Sequence, residues 1–99
     1  MNVVFEDPDL EQLYVDIDFR LPALSDQLTS KFRQRIASIN AAPDERDLRA
    51  LKSLHFEKLS GDRKGQYSIR IHKQWRLVFR LEKDDAGKVM IIVEVVDYH

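Results

Sequence analysis

Gln66-Tyr67-Ser68-Ile69-Arg70-Ile71-His72-Lys73-Gln74-Trp75-Arg76-Leu77-Val78-Phe79-Arg80-Leu81 is the stretch that decides the fold. Tyr67, Ile69 and Ile71 alternate with Gln66, Ser68, Arg70 and His72, and Trp75, Leu77, Phe79 and Leu81 alternate with Arg76, Val78 and Arg80. A period of two is that of a strand with one buried face. Only Lys73 and Gln74 separate the two runs, so they read as a tight antiparallel hairpin. Downstream, Asp84-Asp85-Ala86-Gly87 makes the next turn. Val89 to Val96 is apolar on both sides apart from Glu94, as expected of a central strand.

Upstream the period lengthens. Leu21, Leu24, Leu28, Phe32, Ile36 and Ile39 follow at intervals of 3, 4, 4, 4 and 3, one apolar stripe along a helix whose first turn holds Pro22 and which Pro43 stops. Leu10, Leu13, Tyr14 and Ile17 after Pro8 predict a shorter helix, Leu48, Leu51 and Leu54 one or two further turns, and Val3-Val4-Phe5 a first strand. Helices first and a meander afterwards predict an α+β fold, an antiparallel sheet with the N-terminal helices packed on one face. No linker or repeat divides residues 1–99, so one domain is expected. In this register Tyr67, Ile69, Ile71, Trp75, Leu77, Phe79 and Leu81 face the helices. Ser68, Arg70, His72, Arg76 and Arg80 are left on an open face.

Composition excludes several chemistries. The 99 residues contain no cysteine, hence no thiol nucleophile, disulfide framework or Cys-ligated metal. The three histidines, His55, His72 and His99, stand 17 and 27 positions apart, which is no metal-ligand spacing, so neither metal nor cofactor is expected. No apolar run approaches the ~20 residues of a membrane span. Residues 1–18 carry six acids and no base, unlike the start of a secretory signal, and the expected location is cytoplasmic. The formal charge of −1 hides a pattern: nine acids against four bases in 1–45, ten bases against three acids in 46–80, and five acids against two bases in 81–99. The basic block suggests a surface that meets a polyanion; a solvated face with scattered charges is the plainer reading.

Within that block Gly61-Asp62-Arg63-Lys64-Gly65 places two glycines and two bases in one turn, where backbone N–H groups are able to cradle a phosphate; a plain surface turn is the alternative. It lacks the ending of a Walker loop and leads into a strand. The chain ends Asp97-Tyr98-His99, which supplies proton donors and acceptors, although terminal residues are commonly inert. A binding-module reading stands beside the enzymatic one, with Lys31, Arg33, Arg35 and the acidic first 18 residues as docking surfaces.

Leu59 to Ile71, Gln74-Trp75-Arg76 and Val96-Asp97-Tyr98-His99 together resemble the HigB toxins, the plasmid-maintenance "killer" branch of the RelE-like superfamily, and Arg20-Leu21-Pro22 matches the start of a helix common there. The resemblance implies a RelE-like fold and a bacterial type II toxin that cleaves mRNA in the A site of the 70S ribosome. A HigA-type helix-turn-helix antitoxin would neutralise it, and operator DNA would be met only through that antitoxin. It implies a metal-independent endoribonuclease (an mRNA interferase) in which Asp97, Tyr98 and His99 form the catalytic tripeptide and Arg76 stabilises the phosphate. Arg63, Lys64, Arg70, Arg80 and Lys58 would be RNA contacts. One branch has a histidine five residues before the aspartate of the Gly-Asp-Arg loop; here Glu57 stands there, with His55 two residues upstream. In a strand that offset keeps the same face, which makes both residues candidates. Ser60 replaces a frequent lysine, and His72 stands where asparagine is common. The alternative is a catalytically weak relative that binds its antitoxin and regulates the operon.

Overall fold

A computed structural model describes residues 1–98. The elements in chain order are β1 (Asn2–Phe5), α1 (Pro8–Val15), α2 (Asp26–Ala41), α3 (Glu45–Ala50), β2 (Glu57–Lys58), β3 (Tyr67–His72), β4 (Trp75–Asp84) and β5 (Gly87–Asp97). Single 3-10 turns lie at Lys52–Leu54 and Gly61–Arg63. One sheet runs in the order β1-β5-β4-β3-β2. Its neighbours are antiparallel except β1, which pairs parallel with β5 and makes β5 an interior strand, as its double-sided apolarity requires. No helix among the described residues is long and apolar enough to cross a membrane.

The helix ends differ from the periodicity, and the reasons are local hydrogen bonds. α2 begins at Asp26 and not around Pro22, because the Ser25 hydroxyl accepts from the Leu28 N–H at 3.1 Å. Leu21 to Leu24 instead form a turn that keeps both leucines against the core. α1 stops at Val15, before Ile17, which stays exposed. The Asp16 carboxylate accepts from the Asp18 N–H, and Arg33 of α2 reaches over to collect the carbonyls that α1 leaves open. Its guanidinium donates to Leu13 at 2.7 Å, Asp16 at 3.0 Å and Phe19 at 3.2 Å. The turns expected around Leu48, Leu51 and Leu54 are α3 plus the 3-10 turn; Leu48 and Leu54 are buried, whereas Leu51 falls between the two and is exposed.

The helices cover one face of the sheet. Leu13, Leu28, Phe32, Ile36 and Ile39 pack against Ile69, Leu77, Phe79, Met90 and Ile92. Truncating either buried phenylalanine to alanine would cost about 3–5 kcal/mol through lost transfer energy and the cavity left behind. Phe56, Tyr67 and Phe79 stack within 6.0 Å of one another, and the Arg49 guanidinium lies 4.3 Å over Phe56. Glu45 ties α3 to β5 through Lys88 and pairs with Arg49.

The opposite face is less open than alternation predicts. Ser68 and Val78 are fully buried and Arg76 is only 8% exposed. The turn before β3 folds back over this face, and Arg63 reaches across to pair with Glu94 of β5. Two bulges interrupt the ladders. On β3, Arg70 pairs with Arg76 and His72 with Trp75, leaving Ile71 with no opposite residue. On β5, Ile92 pairs with Phe79 and Glu94 with Val78, leaving Val93 unopposed. Below this bulge, Met90 and Ile92 join the core; above it, Val95 lies opposite Leu77, and Glu94 and Val96 lie opposite Val78 and Arg76.

Candidate active site

The register places three rows on the face away from the helices. Arg70, Arg76 and Val96 form one; Glu57, Ser68, Val78 and Glu94 the next; Arg80 and Ile91 the third. At the end of the first row, Tyr98 continues the phase that the β5 bulge sets, and the Arg76 guanidinium lies 5.9 Å from its ring centroid. The Tyr98 N–H donates to the Gln74 carbonyl at 2.9 Å, which fastens the chain beyond β5 to the β3–β4 turn. Lys73 in that turn adopts a left-handed conformation, φ 52°. Tyr98 is 40% exposed, so an aromatic ring with a phenolic hydroxyl is offered to solvent beside a fixed cation.

Arg76 is fixed from three sides. Its Nε–H donates to the Ser68 hydroxyl at 2.8 Å, one terminal nitrogen donates to the His55 carbonyl, and the same nitrogen lies 3.3 Å from the Ser68 carbonyl. The Glu57 carboxylate stands 3.9 Å away, and its side chain is 55% exposed. Ser68 is the residue that alternation alone makes an ordinary solvent-facing position. Buried opposite Val78, its hydroxyl orients the guanidinium and leaves the remaining donors for a ligand.

Several expected site residues do not fall where the sequence suggests. His55 is not on a strand: it closes the Lys52–Leu54 turn at φ 46°, and its carbonyl is what meets Arg76. Lys58 pairs with Tyr67, whose ring lies in the aromatic cluster, so its register puts it on the helix side of the sheet, away from Arg76. Asp97 pairs with Trp75, one position out of phase with Val96 and Tyr98, and so belongs by register to the face opposite Arg76. Within the Gly61–Gly65 turn Arg63 N–H donates to Ser60 and Lys64 N–H to Gly61, and beyond it Gln66 N–H donates to Arg63, so these three amides are not offered to a phosphate. Positive φ at Gly61 (63°) and Gly65 (88°) serves this tight turn. Arg63 is held by Glu94 and Gln66, and Arg80 by Glu6. Lys64 and Arg70 are exposed. His99 lies outside the described residues.

Of the basic residues of α2, Arg33 caps α1 and Arg35 donates to the Ile71 carbonyl at 3.2 Å, while Lys31 is exposed. Among the described residues no three His, Asp or Glu side chains gather as a metal site. Glu57, a candidate from the sequence, does stand beside Arg76, whereas Glu6 and Glu94, beside Arg80 and Arg63, are the carboxylates that attention to bases and a terminal tripeptide passes over; Glu94 stands out in the sequence as the single charge in an apolar strand.

The fold is similar to that of solved toxins. The chain is similar over 100% of its length, and 100% of theirs, to a YoeB/ParE toxin from Agrobacterium tumefaciens, with a TM-score of 0.58 and 16% identity. It is also similar to the toxin fold in a heterotetrameric YoeB-YefM toxin-antitoxin complex from Staphylococcus aureus, with a TM-score of 0.55 and 23% identity over 100% of this chain and 97% of that one. These likenesses define the class of fold, α+β and RelE-like. Toxin HigB-1 of Vibrio cholerae serotype O1 (strain ATCC 39315 / El Tor Inaba N16961) is 38% identical over 80 residues, 81% of this chain and 83% of that protein. The family described as HigB-like toxin, the RelE-like toxin of the type II toxin-antitoxin system HigB, matches residues 3–99. The chain belongs to that family.

Proposed function

We propose that this toxin is a metal-independent endoribonuclease that cleaves mRNA in the A site of the ribosome. Attack of the RNA 2′-hydroxyl on the adjacent phosphorus forms a 2′,3′-cyclic phosphate and expels the 5′-oxygen, so one group accepts the 2′ proton and another supplies a proton to the leaving oxygen. Arg76, its planar fork held by Ser68 and His55, is the cation for the pentavalent phosphate. Tyr98 beside it supports a base or shares proton transfer. His99, the next residue, completes the acid–base pair, and Glu57 is the carboxylate within reach of the same phosphate. The observation that carries this reading is the juxtaposition of Tyr98 and a nearly buried, pre-oriented Arg76 on a face the helices do not use. Arg70 and Lys64 are the exposed cations for flanking RNA, with Arg63 and Arg80 available after exchange of their carboxylate partners.

Neutralisation would come from a HigA-type antitoxin, in line with the antitoxin complex of a structural relative. A second reading, a weakly catalytic toxin that acts mainly by binding its antitoxin, has one observation in its favour: Arg63, Arg76 and Arg80 each stand against a glutamate. Induced expression of wild type, His99→Ala and Arg76→Lys, with mapping of mRNA 5′ ends, decides between them. Cleavage by the wild type alone supports the ribonuclease. An unchanged 5′-end profile with tight antitoxin binding supports the second reading, and equal toxicity of all three proteins removes the proposed site.

A further inference from the structure

Between α2 and the end of β3 lies a cavity of about 400 Å³ that shares only Arg70 with the site described above. Lys31 and Arg35 of α2 line one side, and Arg70, His72 and Lys73 the other; the rest of the lining is neutral. No carboxylate contributes to the wall, and among the described residues none pairs with Lys31, Arg35, Arg70 or Lys73, although most arginines elsewhere are paired. The Arg35 Nε is buried without a hydrogen-bond partner, while its neighbouring nitrogen donates to Ile71. Burial first, and then the charge of Arg70, hold the Arg35 guanidinium below its ordinary pKa. β2 covers only Tyr67 and Ser68 on this edge of β3, so no strand pairs with Ile69–His72 there and the wall stays accessible.

Concentrated positive charge with no carboxylate partner is a site for an oxyanion, and the fork of N–H donors on a guanidinium favours phosphate. We propose that this cavity binds a backbone phosphate of the RNA strand that flanks the scissile bond. RNA is favoured over an acidic peptide by continuity: Arg70, in the cavity wall, is the direct cross-strand partner of Arg76, so one cationic ridge runs from the cavity to the candidate active site. The inference rests on the ribonuclease reading and adds to it a second phosphate subsite, which sets how the strand is threaded across the sheet.

The test uses full-length toxin and a short single-stranded RNA carrying 2′-O-methyl groups, which bars the attack. Lys31→Gln/Lys73→Gln, both at exposed positions, should weaken binding of this RNA at least fivefold at low salt. It should also flatten the salt dependence of log K by roughly 0.7 for each phosphate that the protein no longer neutralises. A neutral methylphosphonate at the linkage that occupies the cavity should weaken binding to the wild type and leave the double variant unchanged. Amide resonances of Lys31, Arg35 and Arg70 should shift with inorganic phosphate in the wild type only. A variant that cleaves and binds RNA as the wild type does overturns the subsite and leaves the ribonuclease standing. A wild type that cleaves nothing, but whose RNA affinity still falls in the variant, overturns the ribonuclease and keeps the subsite. Loss of antitoxin affinity with unchanged RNA affinity assigns the cavity to an acidic protein segment and overturns the proposal.

Discussion

Replacing Arg76 with methionine keeps the apolar stem and removes a guanidinium whose side chain is only 10% exposed. The stability cost follows from the partners left behind. The buried Ser68 hydroxyl is deprived of its donor at 2.8 Å, and the His55 carbonyl of the guanidinium it meets. A hydrogen bond from a charged donor contributes about 1.5–3 kcal/mol, while removing the charge relieves its own desolvation. A net loss of about 2 kcal/mol is expected, which lowers Tm by roughly 8–16 °C for a domain of this size. Ser68→Ala removes only the acceptor and should cost about 1–2 kcal/mol. The double variant should cost little more than Arg76→Met alone, because no hydroxyl then remains buried without a donor, giving a coupling of about 1 kcal/mol. Urea denaturation of the four proteins measures this, and growth arrest on induction gives the functional counterpart: Ser68→Ala weakens the toxin, Arg76→Met silences it. Strictly additive costs, or Arg76→Met as stable as the wild type, would refute the view that Ser68 holds the guanidinium in place.

Other expected outcomes concern regions away from this pair. Arg33→Ala should destabilise the fold by about 1–3 kcal/mol, seen in urea titration, since the Leu13 carbonyl is left without its side-chain donor and the Asp16 and Phe19 carbonyls each lose one of two donors; antitoxin affinity should be unaffected in the folded fraction. Removing Tyr98 and His99 should abolish toxicity while shifting Tm by only a few degrees, because Tyr98 is tied to the sheet by one hydrogen bond and one ring contact. Asp44 caps α3 and accepts from the Arg46 N–H, which is the main reason its carboxyl sits below its ordinary pKa. A depressed folded pKa stabilises above the unfolded value, and that stability is lost as pH falls through the folded one. The acid unfolding curve of Asp44→Asn should therefore fall less steeply than that of the wild type below about pH 4.

The alternation in Gln66 to Leu81 is enough for the hairpin, the buried face and the position of Arg76, because a two-residue loop fixes register and burial fixes phase. The leucine stripe likewise places α2, and the resemblance leads to the family. What stays hidden in the sequence is set by particular side-chain bonds and by register. Ser25 decides where α2 starts, and Arg33, which reads as a surface base, is the cap of another helix. Lys58 is an RNA contact by resemblance, yet a two-residue strand turns it to the helix side. Asp97 and Tyr98 are adjacent in sequence but on opposite faces by register, as neighbours in a strand must be.

The unopposed Val93 makes the end of β5 a matter of counting as well as chemistry. Deleting that one valine would remove the bulge and leave Glu94, Val95 and Val96 opposite Val78, Leu77 and Arg76, so Tyr98 would keep its face beside Arg76. Deleting the paired Val95 instead would bring Tyr98 out of step, turning it towards the helices and away from Arg76. Substitutions along β5 are thus tolerated by degrees, whereas the loss of a single paired residue beyond the bulge disarms the toxin while its core, and its capacity to fold, stay intact.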